Sequence, residues 1–266
     1  MSNDPTALRE WDAATYHRIS DPQVAWGIPV LRRLSVRGDE TVIDAGCGTG
    51  RLTAHLLERL PAGAVICVDR SSAMLHAARE HLESFGRQRV RFVEADLADI
   101  PLTDAADAVF STATFHWISD HPRLFTGLFR ALRRGGRLVA QCGGAGNLRD
   151  VRRRALELMG EEPFAAHVSA WTDPWEYADA ATTAQRLDGA GFHDIATDVV
   201  DAPVSLEGAE LYAEFLATVV LRVHLSRLPD EDMRRRLLER MTERAAADDP
   251  PFTLDYRRLN LDARRP

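Results

Sequence analysis

The sequence has 266 residues, of which 45% are hydrophobic and 27% are charged, and its formal net charge at pH 7 is -7. A chain of this length buries roughly 70–75% of the surface of its unfolded form, so folding requires neither disulfides nor metal ions. The negative charge argues against a nucleic-acid partner, because such proteins need a basic surface to contact phosphates. The longest apolar run, about residues 24–31, is far shorter than the roughly 20 residues of a membrane span.

The start of the chain lacks the features of an export signal. Residues 1–12 contain neither the basic segment nor the apolar segment that a secretory signal requires. The three cysteines, Cys47, Cys67 and Cys142, follow no disulfide framework, which indicates a reducing compartment. We therefore expect a cytoplasmic protein whose cysteines are small buried residues in or beside central strands.

Short apolar strands alternate with helices in the first half of the chain. A helical pattern covers about residues 5–35 and precedes the first strand. Strands that alternate with helices of roughly 10–15 residues indicate βαβ units and a parallel sheet. In chain order, we predict strands at residues 41–44, 65–69, 90–96, 106–111 and 137–142, and helices at 51–60, 72–84 and 122–132.

Helices dominate the pattern after residue 147. Two long helical patterns lie between the last two predicted strands, where a cap over a substrate site could be built. The predicted helices cover about residues 147–159, 174–190, 206–225 and 230–247, and the predicted strands cover 192–200 and 252–261.

A glycine-rich loop follows the first strand, with Asp44, Gly46, Gly48 and Gly50 at alternate positions. Glycines at such a turn let the backbone approach a ligand closely and enter a helix sharply. The N–H groups and the dipole at the helix start favour an anionic ligand group. Asp69 lies 19 residues beyond Gly50, at the carboxyl end of the second strand, where a carboxylate can accept hydrogen bonds from both ribose hydroxyls.

The spacing of these glycines does not match a nicotinamide-binding site. That fingerprint is Gly-x-Gly-x-x-Gly, which requires its third glycine at position 51 or at position 53. These positions hold Arg51 and Thr53. The nicotinamide fingerprint is therefore not met.

Residues 42–50, 68–75 and 94–97 resemble three motifs of the class I S-adenosylmethionine-dependent methyltransferases. Their order and spacing match that family across about residues 40–143. The resemblance implies an α/β, Rossmann-like fold with a seven-stranded, mostly parallel sheet, helices on both faces, an antiparallel last strand and a helical cap inserted late in the chain. It also implies S-adenosyl-L-methionine as the cofactor and S-adenosyl-L-homocysteine as the product.

The same resemblance assigns roles to particular residues. Asp69 is expected to hold the ribose, Asp96 the adenine amino group and Leu97 one side of the adenine ring. The backbone of residues 46–50 is expected to hold the methionine end. The candidate cofactor-binding residues are Asp44, Gly46, Cys47, Gly48, Gly50, Asp69, Arg70, Met74, Asp96, Leu97 and Ser111.

We expect a single domain over residues 1–266, working as a monomer or a homodimer. Its predicted parts are an N-terminal helical lid (1–36), a cofactor-binding core (37–145), the cap helices with the sixth strand (146–250) and the last strand (251–266).

The loop after the fourth strand, residues 111–121, carries the candidate acceptor-binding residues His116 and Trp117. It resembles the equivalent loop of the trans-aconitate and juvenile hormone acid methyltransferase group, whose members methylate carboxylates. Residues 11–16 resemble the N-terminal lid of that group, which makes Tyr16 a third candidate. The resemblance favours O-methylation of a carboxylate. The alternatives are hydroxyl or carbon methylation of a natural-product intermediate, and cofactor binding without methyl transfer.

His116 has two interpretations. As a general base it would deprotonate a hydroxyl or a carbon acid, since the unperturbed pKa of histidine is about 6.5. Alternatively, it shapes the floor of the pocket. A carboxylate acceptor is already ionised at pH 7 and needs no base. Trp117 either lines the substrate site or belongs to the hydrophobic core. Tyr16 either contacts a ligand or only packs against neighbouring side chains.

Position and spacing exclude two other classes of site. Residues 249–252 read Asp-Pro-Pro-Phe, which resembles a loop of DNA amino-group methyltransferases, but that loop follows the fourth strand and this segment precedes the last. No histidine and acidic residues show a metal-ligand spacing such as His-Glu-x-x-His. We therefore expect a small-molecule acceptor, with no nucleic acid, membrane or metal as partner.

Overall fold

The computed structural model describes residues 21–167 and 174–266. Tyr16, with the rest of the predicted lid up to residue 20, lies outside the described residues. None of the helices in the described part of the chain combines the length and the apolar character that crossing a bilayer requires. Contacts group residues 21–145, 175–200 and 258–266 into one compact unit, and residues 146–167, 174 and 201–257 into a second.

Side-chain caps fix where helices of the first unit begin. The Ser71 hydroxyl accepts a hydrogen bond from the N–H of Met74, and the Asp120 carboxylate accepts one from the N–H of Arg123. Such caps satisfy N–H groups that have no partner within the helix. The elements up to residue 143 are α1 (Asp21–Arg33), β1 (Thr41–Ala45), α2 (Arg51–Glu58), β2 (Ala64–Asp69), α3 (Ser72–His81), β3 (Val90–Glu94), β4 (Ala106–Thr112), α4 (His121–Ala131) and β5 (Leu132–Gly143).

One cap corrects a predicted boundary in the second half of the chain. The helix predicted from residue 174 begins only at Ala180, because the Asp179 carboxylate accepts the N–H of Thr182 at 2.7 Å and ends the preceding extended segment. The elements after residue 143 are α5 (Arg149–Met159), α6 (Ala180–Gly189), β6 (His193–Asp201), β7 (Val204–Ser205), α7 (Ala209–Phe215), α8 (Arg222–Leu225), α9 (Glu231–Ala245), β8 (Thr253–Leu254) and β9 (Arg257–Arg264).

Two other predicted elements are interrupted. The helix predicted over residues 206–225 is divided by a π-helical segment, Leu216–Val220, in which the N–H of Leu221 donates to the carbonyl of Leu216 at 2.7 Å. An extra residue in the turn breaks the α-helical register. The strand predicted over residues 252–261 is two strands, because β8 pairs with β7 while β9 pairs with β5.

The main sheet has seven strands in the order β3-β2-β1-β4-β5-β9-β6. The pairs from β3 to β5 are parallel, and β9 is antiparallel to β5. Parallel neighbours need crossover connections, which α2, α3 and α4 supply. The mostly parallel sheet with an antiparallel last strand confirms the predicted fold class.

Alternate strand residues pack against opposite helical layers, as the side-chain alternation of a strand requires. Ile43 and Val109 belong to a buried cluster that includes side chains of α4 and α6. Val42 and Phe110 belong to a second cluster that includes side chains of α1 and α2. Both faces of the central strands are therefore buried, and their carboxyl ends form the edge at which a ligand can bind.

Candidate functional site

A cavity of about 300 Å³ lies at the carboxyl ends of the central strands. β1 lies between β2 and β4, and the chain passes to opposite sides of it, which makes this the switch point where open parallel sheets bind ligands. Eight of the candidate residues line this cavity: Gly46, Gly48, Asp69, Arg70, Met74, Asp96, Leu97 and Trp117.

The glycine loop meets the cavity at Gly46 and Gly48, whose φ angles are 82° and 54°. A Cβ on Gly46 would lie 2.2 Å from the Oγ1 atom of Thr114, so the close approach of two loops requires glycine there. A Cβ on Gly48 would meet no atom within 4 Å. Because Gly48 lines the cavity, the space beside its backbone is available to a ligand.

Asp69 is held at the end of β2 by two backbone hydrogen bonds. Its Oδ2 atom accepts from the N–H of Gly48 at 3.0 Å, and its Oδ1 atom accepts from the N–H of Ser71 at 2.9 Å. Each carboxylate oxygen has a second lone-pair direction, so both oxygens can still accept a ligand hydroxyl. Burial raises the pKa of the Asp69 carboxyl, and hydroxyl donors would offset that desolvation.

Another part of the cavity lining combines one acid with apolar side chains. The Oδ1 atom of Asp96 accepts from the N–H of Ala98 at 2.9 Å and caps the short turn after β3. Met74 and Leu97 are 3% and 5% exposed and also line the cavity, whereas Arg70 is exposed. These residues fit a flat, apolar ring that carries an amino group, next to a sugar at Asp69.

A smaller cavity of about 60 Å³ shares Gly46 and Gly48 with the larger one. Asp44 and Arg51 also line it. The Asp44 carboxylate accepts from the Thr53 hydroxyl at 2.6 Å, and burial raises its pKa to about 7. An acid and a guanidinium on one small cavity fit a ligand end that carries both an amino and a carboxylate group.

Three further candidates do not line the larger cavity, although Cys47 lines the smaller one. Gly50 has a φ of 80° and begins α2. The neighbouring Cys67 thiol, together with burial, raises the pKa of Cys47 well above its usual range, so this thiol is neutral. The Ser111 hydroxyl donates to the carbonyl of Ala45 at 2.6 Å and joins β4 to the end of β1.

The protonation state of His116 follows from one backbone contact. Its Nδ1 atom accepts a hydrogen bond from the N–H of Gly143 at 3.2 Å. A ring nitrogen that accepts a hydrogen bond carries no proton, so the proton of the neutral ring is on Nε2. Burial, together with the charges of Arg258 and His121, lowers the pKa of His116 to about 3. At neutral pH His116 is therefore an uncharged donor.

Trp117 lines the cavity. Next to it lie Trp175 and Tyr177, two aromatic residues to which the sequence analysis assigned no role. The ring centres of Trp117 and Trp175 are 5.5 Å apart, and Tyr177 stacks on Trp175 at 6.0 Å. The close spacing of Trp175 and Tyr177 in the segment before α6 is the sequence signal from which this aromatic cluster could have been predicted. These rings form an extended aromatic wall next to the cavity, with His116 in contact with both Trp117 and Tyr177.

The nearby His121 and the distant Arg186 hold the turn Phe115–Trp117 in place. The Nε2 atom of His121 donates to the carbonyl of Phe115 at 3.1 Å, and Arg186 donates to Nδ1 of the same imidazole at 3.0 Å. Arg186 also forms an ion pair with Glu176 at 2.9 Å. No spacing in the sequence connects Arg186 and Glu176 to this turn, which is why their role could not be predicted from the sequence.

Comparisons with known proteins agree with this geometry. A family model described as a methyltransferase domain matches residues 42–136. Trans-aconitate 2-methyltransferase of Acidovorax ebreus is 34% identical over 188 residues, which cover 71% of this chain and 67% of that protein. The protein of the same name from Deinococcus radiodurans is 33% identical over 236 residues, which cover 85% of this chain and 87% of that protein.

The fold also matches a solved methyltransferase structure. Haemonchus contortus phosphoethanolamine N-methyltransferase 2, in complex with phosphomonomethylethanolamine and S-adenosylhomocysteine, has a TM-score of 0.61. The match covers 96% of this chain and 57% of that chain at 19% identity. At this identity the likeness shows the fold, and the reaction has to be argued from the site.

Proposed function

Because the chain belongs to the class I S-adenosylmethionine-dependent methyltransferase family, we propose that it methylates a carboxylate oxygen of a small-molecule acceptor. The relatives named trans-aconitate 2-methyltransferase support a carboxylate, since aconitate is a carboxylic acid. The state of His116 supports it independently and is the observation that carries the proposal.

The two cavities supply groups for each part of the cofactor. We assign the ribose hydroxyls to Asp69 and the adenine amino group to Asp96, with Met74 and Leu97 on the faces of the ring. The glycine loop holds the methionine end, and Asp44 contacts its amino group. Each assignment uses a hydrogen-bond acceptor or an apolar surface that already lines a cavity.

S-adenosylmethionine supplies an activated methyl group on a sulfonium ion. The chain contributes position, because Trp117 and the turn held by His121 form a fixed wall beside the cofactor cavity. Holding two reactants in a reactive geometry contributes up to about 7–11 kcal/mol. Apolar side chains such as Met74 and Leu97 line part of the cavity, and electrostatic contacts are stronger beside apolar groups than in water.

Proton removal is the step for which His116 is poorly suited. A general base works best when its pKa is near the working pH, whereas burial and neighbouring charges lower the pKa of His116 to about 3. Its proton-free nitrogen is also engaged by Gly143. A carboxylate is ionised at neutral pH and attacks without losing a proton. The site therefore matches an acceptor that needs no base.

The test is methyl transfer to defined acids. Incubation of the protein with S-adenosylmethionine and trans-aconitate should form S-adenosylhomocysteine and a product heavier by one methyl group. Mild alkali should remove that group, because methyl esters are saponified whereas methyl ethers and C-methyl groups are not. The matched control is the trimethyl ester of the same acid, which should give no product.

Two results would contradict the proposal. One is a product whose new methyl group survives alkali. The other is binding of S-adenosylhomocysteine without methyl transfer to a broad panel of carboxylic acids, which would leave the family assignment intact and remove the carboxylate acceptor.

A further inference from the structure

Thr114 lies between β4 and the turn that carries His116 and Trp117, and its side chain contacts the glycine loop. Its Oγ1 atom donates to the carbonyl of Thr112 at 2.8 Å and, over 3.4 Å, to the carbonyl of Gly46. The Oγ1 and Cγ2 atoms also fill the space beside Gly46, since a Cβ there would lie only 2.2 and 2.3 Å from them. Thr114 therefore holds the glycine loop by hydrogen bonding and by packing.

The local conformation around Thr114 departs from what the sequence favours. Thr114 is the N-cap of the turn Phe115–Trp117, where a threonine hydroxyl commonly accepts an N–H of the turn. At this turn, whose residues the structure describes in full, the hydroxyl forms no such cap and donates away from the turn. The preceding residue, Ala113, has a φ of 54°, which is unfavourable for a residue with a Cβ. Such departures from local preference concentrate at functional sites.

The contacts of Thr114 lie where the two cavities meet. Both cavities are lined by Gly46, Gly48, Thr112 and Ala113. The Thr114 hydroxyl contacts the carbonyls of two of these residues, Gly46 and Thr112. A cofactor with its adenosine in the larger cavity and its methionine end in the smaller one carries its sulfonium across this junction. The residues beside the reacting methyl group are therefore the ones that Thr114 joins.

Thr114 also begins the turn on the acceptor side of the site. Its carbonyl accepts the N–H of Trp117 at 2.9 Å, and both residues line the larger cavity. The His121 imidazole holds the same turn from outside, through the carbonyl of Phe115 at 3.1 Å. Thr114 thus links the loop assigned to the cofactor with the turn that faces the acceptor.

We propose that Thr114 is a positioning residue for methyl transfer, whose hydroxyl fixes the turn Phe115–Trp117 against the glycine loop and so aligns the acceptor with the sulfonium. In the transfer, an acceptor lone pair forms the new bond to the methyl carbon, while the electron pair of the C–S bond returns to sulfur. This displacement needs an in-line geometry, and a misplacement of about 1 Å can cost roughly 100-fold in rate. The inference rests on the proposed placement of the cofactor and holds for a carboxylate or any other acceptor.

The experiment separates the hydroxyl of Thr114 from the rest of its side chain. Thr114→Val keeps the shape and removes the hydroxyl, whereas Thr114→Ser keeps the hydroxyl. With trans-aconitate and saturating S-adenosylmethionine, Thr114→Val should lower kcat roughly 10- to 100-fold. Its KM for trans-aconitate and its Kd for S-adenosylhomocysteine should change less than about threefold, because only the alignment in the transition state is lost. Thr114→Ser should remain within about threefold of the parent in all three quantities.

Thr126→Val is the matched control and should behave like the parent. The Thr126 hydroxyl also donates to a backbone carbonyl, that of Pro122 at 2.8 Å, but it lies on α4 outside both cavities. Thermal unfolding should show that all variants are folded. If Thr114→Val does not fold, Thr114→Ala, which also lacks the hydroxyl, takes its place. An unchanged kcat in the folded variant, an equal loss in Thr114→Ser, or a cofactor affinity that falls by the same factor as kcat would overturn the role of the hydroxyl.

Hydrogen exchange tests the same link if the parent does not methylate trans-aconitate. The N–H groups of Trp117 and Ile118 donate within the turn to the carbonyls of Thr114 and Phe115, so their exchange reports how well the turn is ordered. Saturating S-adenosylhomocysteine should slow these amides at least about threefold more in the parent than in Thr114→Val. That difference would support the role of Thr114 while the proposed carboxylate methylation fails. Equal slowing, or no binding of S-adenosylhomocysteine to the parent, would overturn the inference.

Discussion

The cofactor side and the acceptor side of the site are built in different ways. On the cofactor side, Gly46, Gly48 and Asp69 come from one βαβ unit, in which the N–H of Gly48 donates to the Asp69 carboxylate and the N–H of Gly46 donates to the carbonyl of Val68. On the acceptor side, His116 is fixed by Gly143 and the turn that carries it is held by His121 and Arg186. One side is local in sequence and the other is assembled by the tertiary fold.

This difference predicts different consequences of mutation. A change in the cofactor loop disturbs a tightly packed turn and the ligand site together. A change on the acceptor side removes one contact among several and should alter specificity more than cofactor binding. Separate measurements of folding, cofactor affinity and acceptor turnover in variants of each side therefore test this difference.

The largest effects are expected in the glycine loop. Gly46→Ala places a Cβ against Thr114 at a positive φ. Overpacking and the left-handed backbone should together lower the free energy of unfolding by about 2–5 kcal/mol. Gly48→Ala meets no protein atom within 4 Å, so only the backbone cost of about 1–2 kcal/mol applies.

Both substitutions should abolish measurable binding of S-adenosylhomocysteine, the first by distorting the loop and the second by filling ligand space. Urea unfolding and titration calorimetry measure the two effects separately. If Gly48→Ala binds like the parent, the ligand does not use the space beside Gly48, and the assignment of this loop is wrong.

Asp69→Ala should have the next largest effect on cofactor binding. Removing a charge-assisted acceptor of hydroxyls should cost about 1.5–3 kcal/mol. Asp69→Ala should therefore weaken S-adenosylhomocysteine roughly 10- to 100-fold. Asp99→Ala is the control, since Asp99 is an exposed acid on the turn after Asp96. If Asp69→Ala folds and binds S-adenosylhomocysteine as tightly as the parent, the Asp69 carboxylate does not bind the ribose.

The same contrast explains what could be predicted from the sequence. The strands around the glycine loop and the cavity positions of Asp69 and Asp96 follow from a contiguous motif, because strand ends and loops that are close in sequence stay close in the fold. Ser111 was expected at the cofactor, yet its hydroxyl is used by Ala45. A strand-end position alone does not reveal which way a small side chain points.

The acceptor side could not be predicted to the same depth. Arg258, whose charge helps to lower the pKa of His116, meets Gly143 only through the antiparallel register of β5 and β9, and that register is not encoded by any local spacing. The π-helical break at Leu216–Val220 likewise interrupts a sequence with a continuous helical pattern. Both features depend on tertiary packing, which overrides local propensity.

His116 gives the smallest expected effect on turnover and a visible effect on stability. Its folded pKa of about 3 is below the unfolded value of about 6.5. The unfolded state therefore binds more protons in this window, and stability should fall as pH drops from about 6.5 towards 3. His116→Gln, which retains an acceptor for Gly143, should reduce the acid sensitivity of the unfolding midpoint.

The pH dependence of kcat/KM on a carboxylate acceptor, at saturating cofactor, tests the central claim most directly. The account predicts that parent and His116→Gln share one profile between about pH 5.5 and 9, with rates that differ less than about tenfold, because no proton is removed from the acceptor. An acid limb near pH 6.5 in the parent that disappears in the variant, with a loss of roughly 10²- to 10⁴-fold, would contradict it and make His116 the catalytic base.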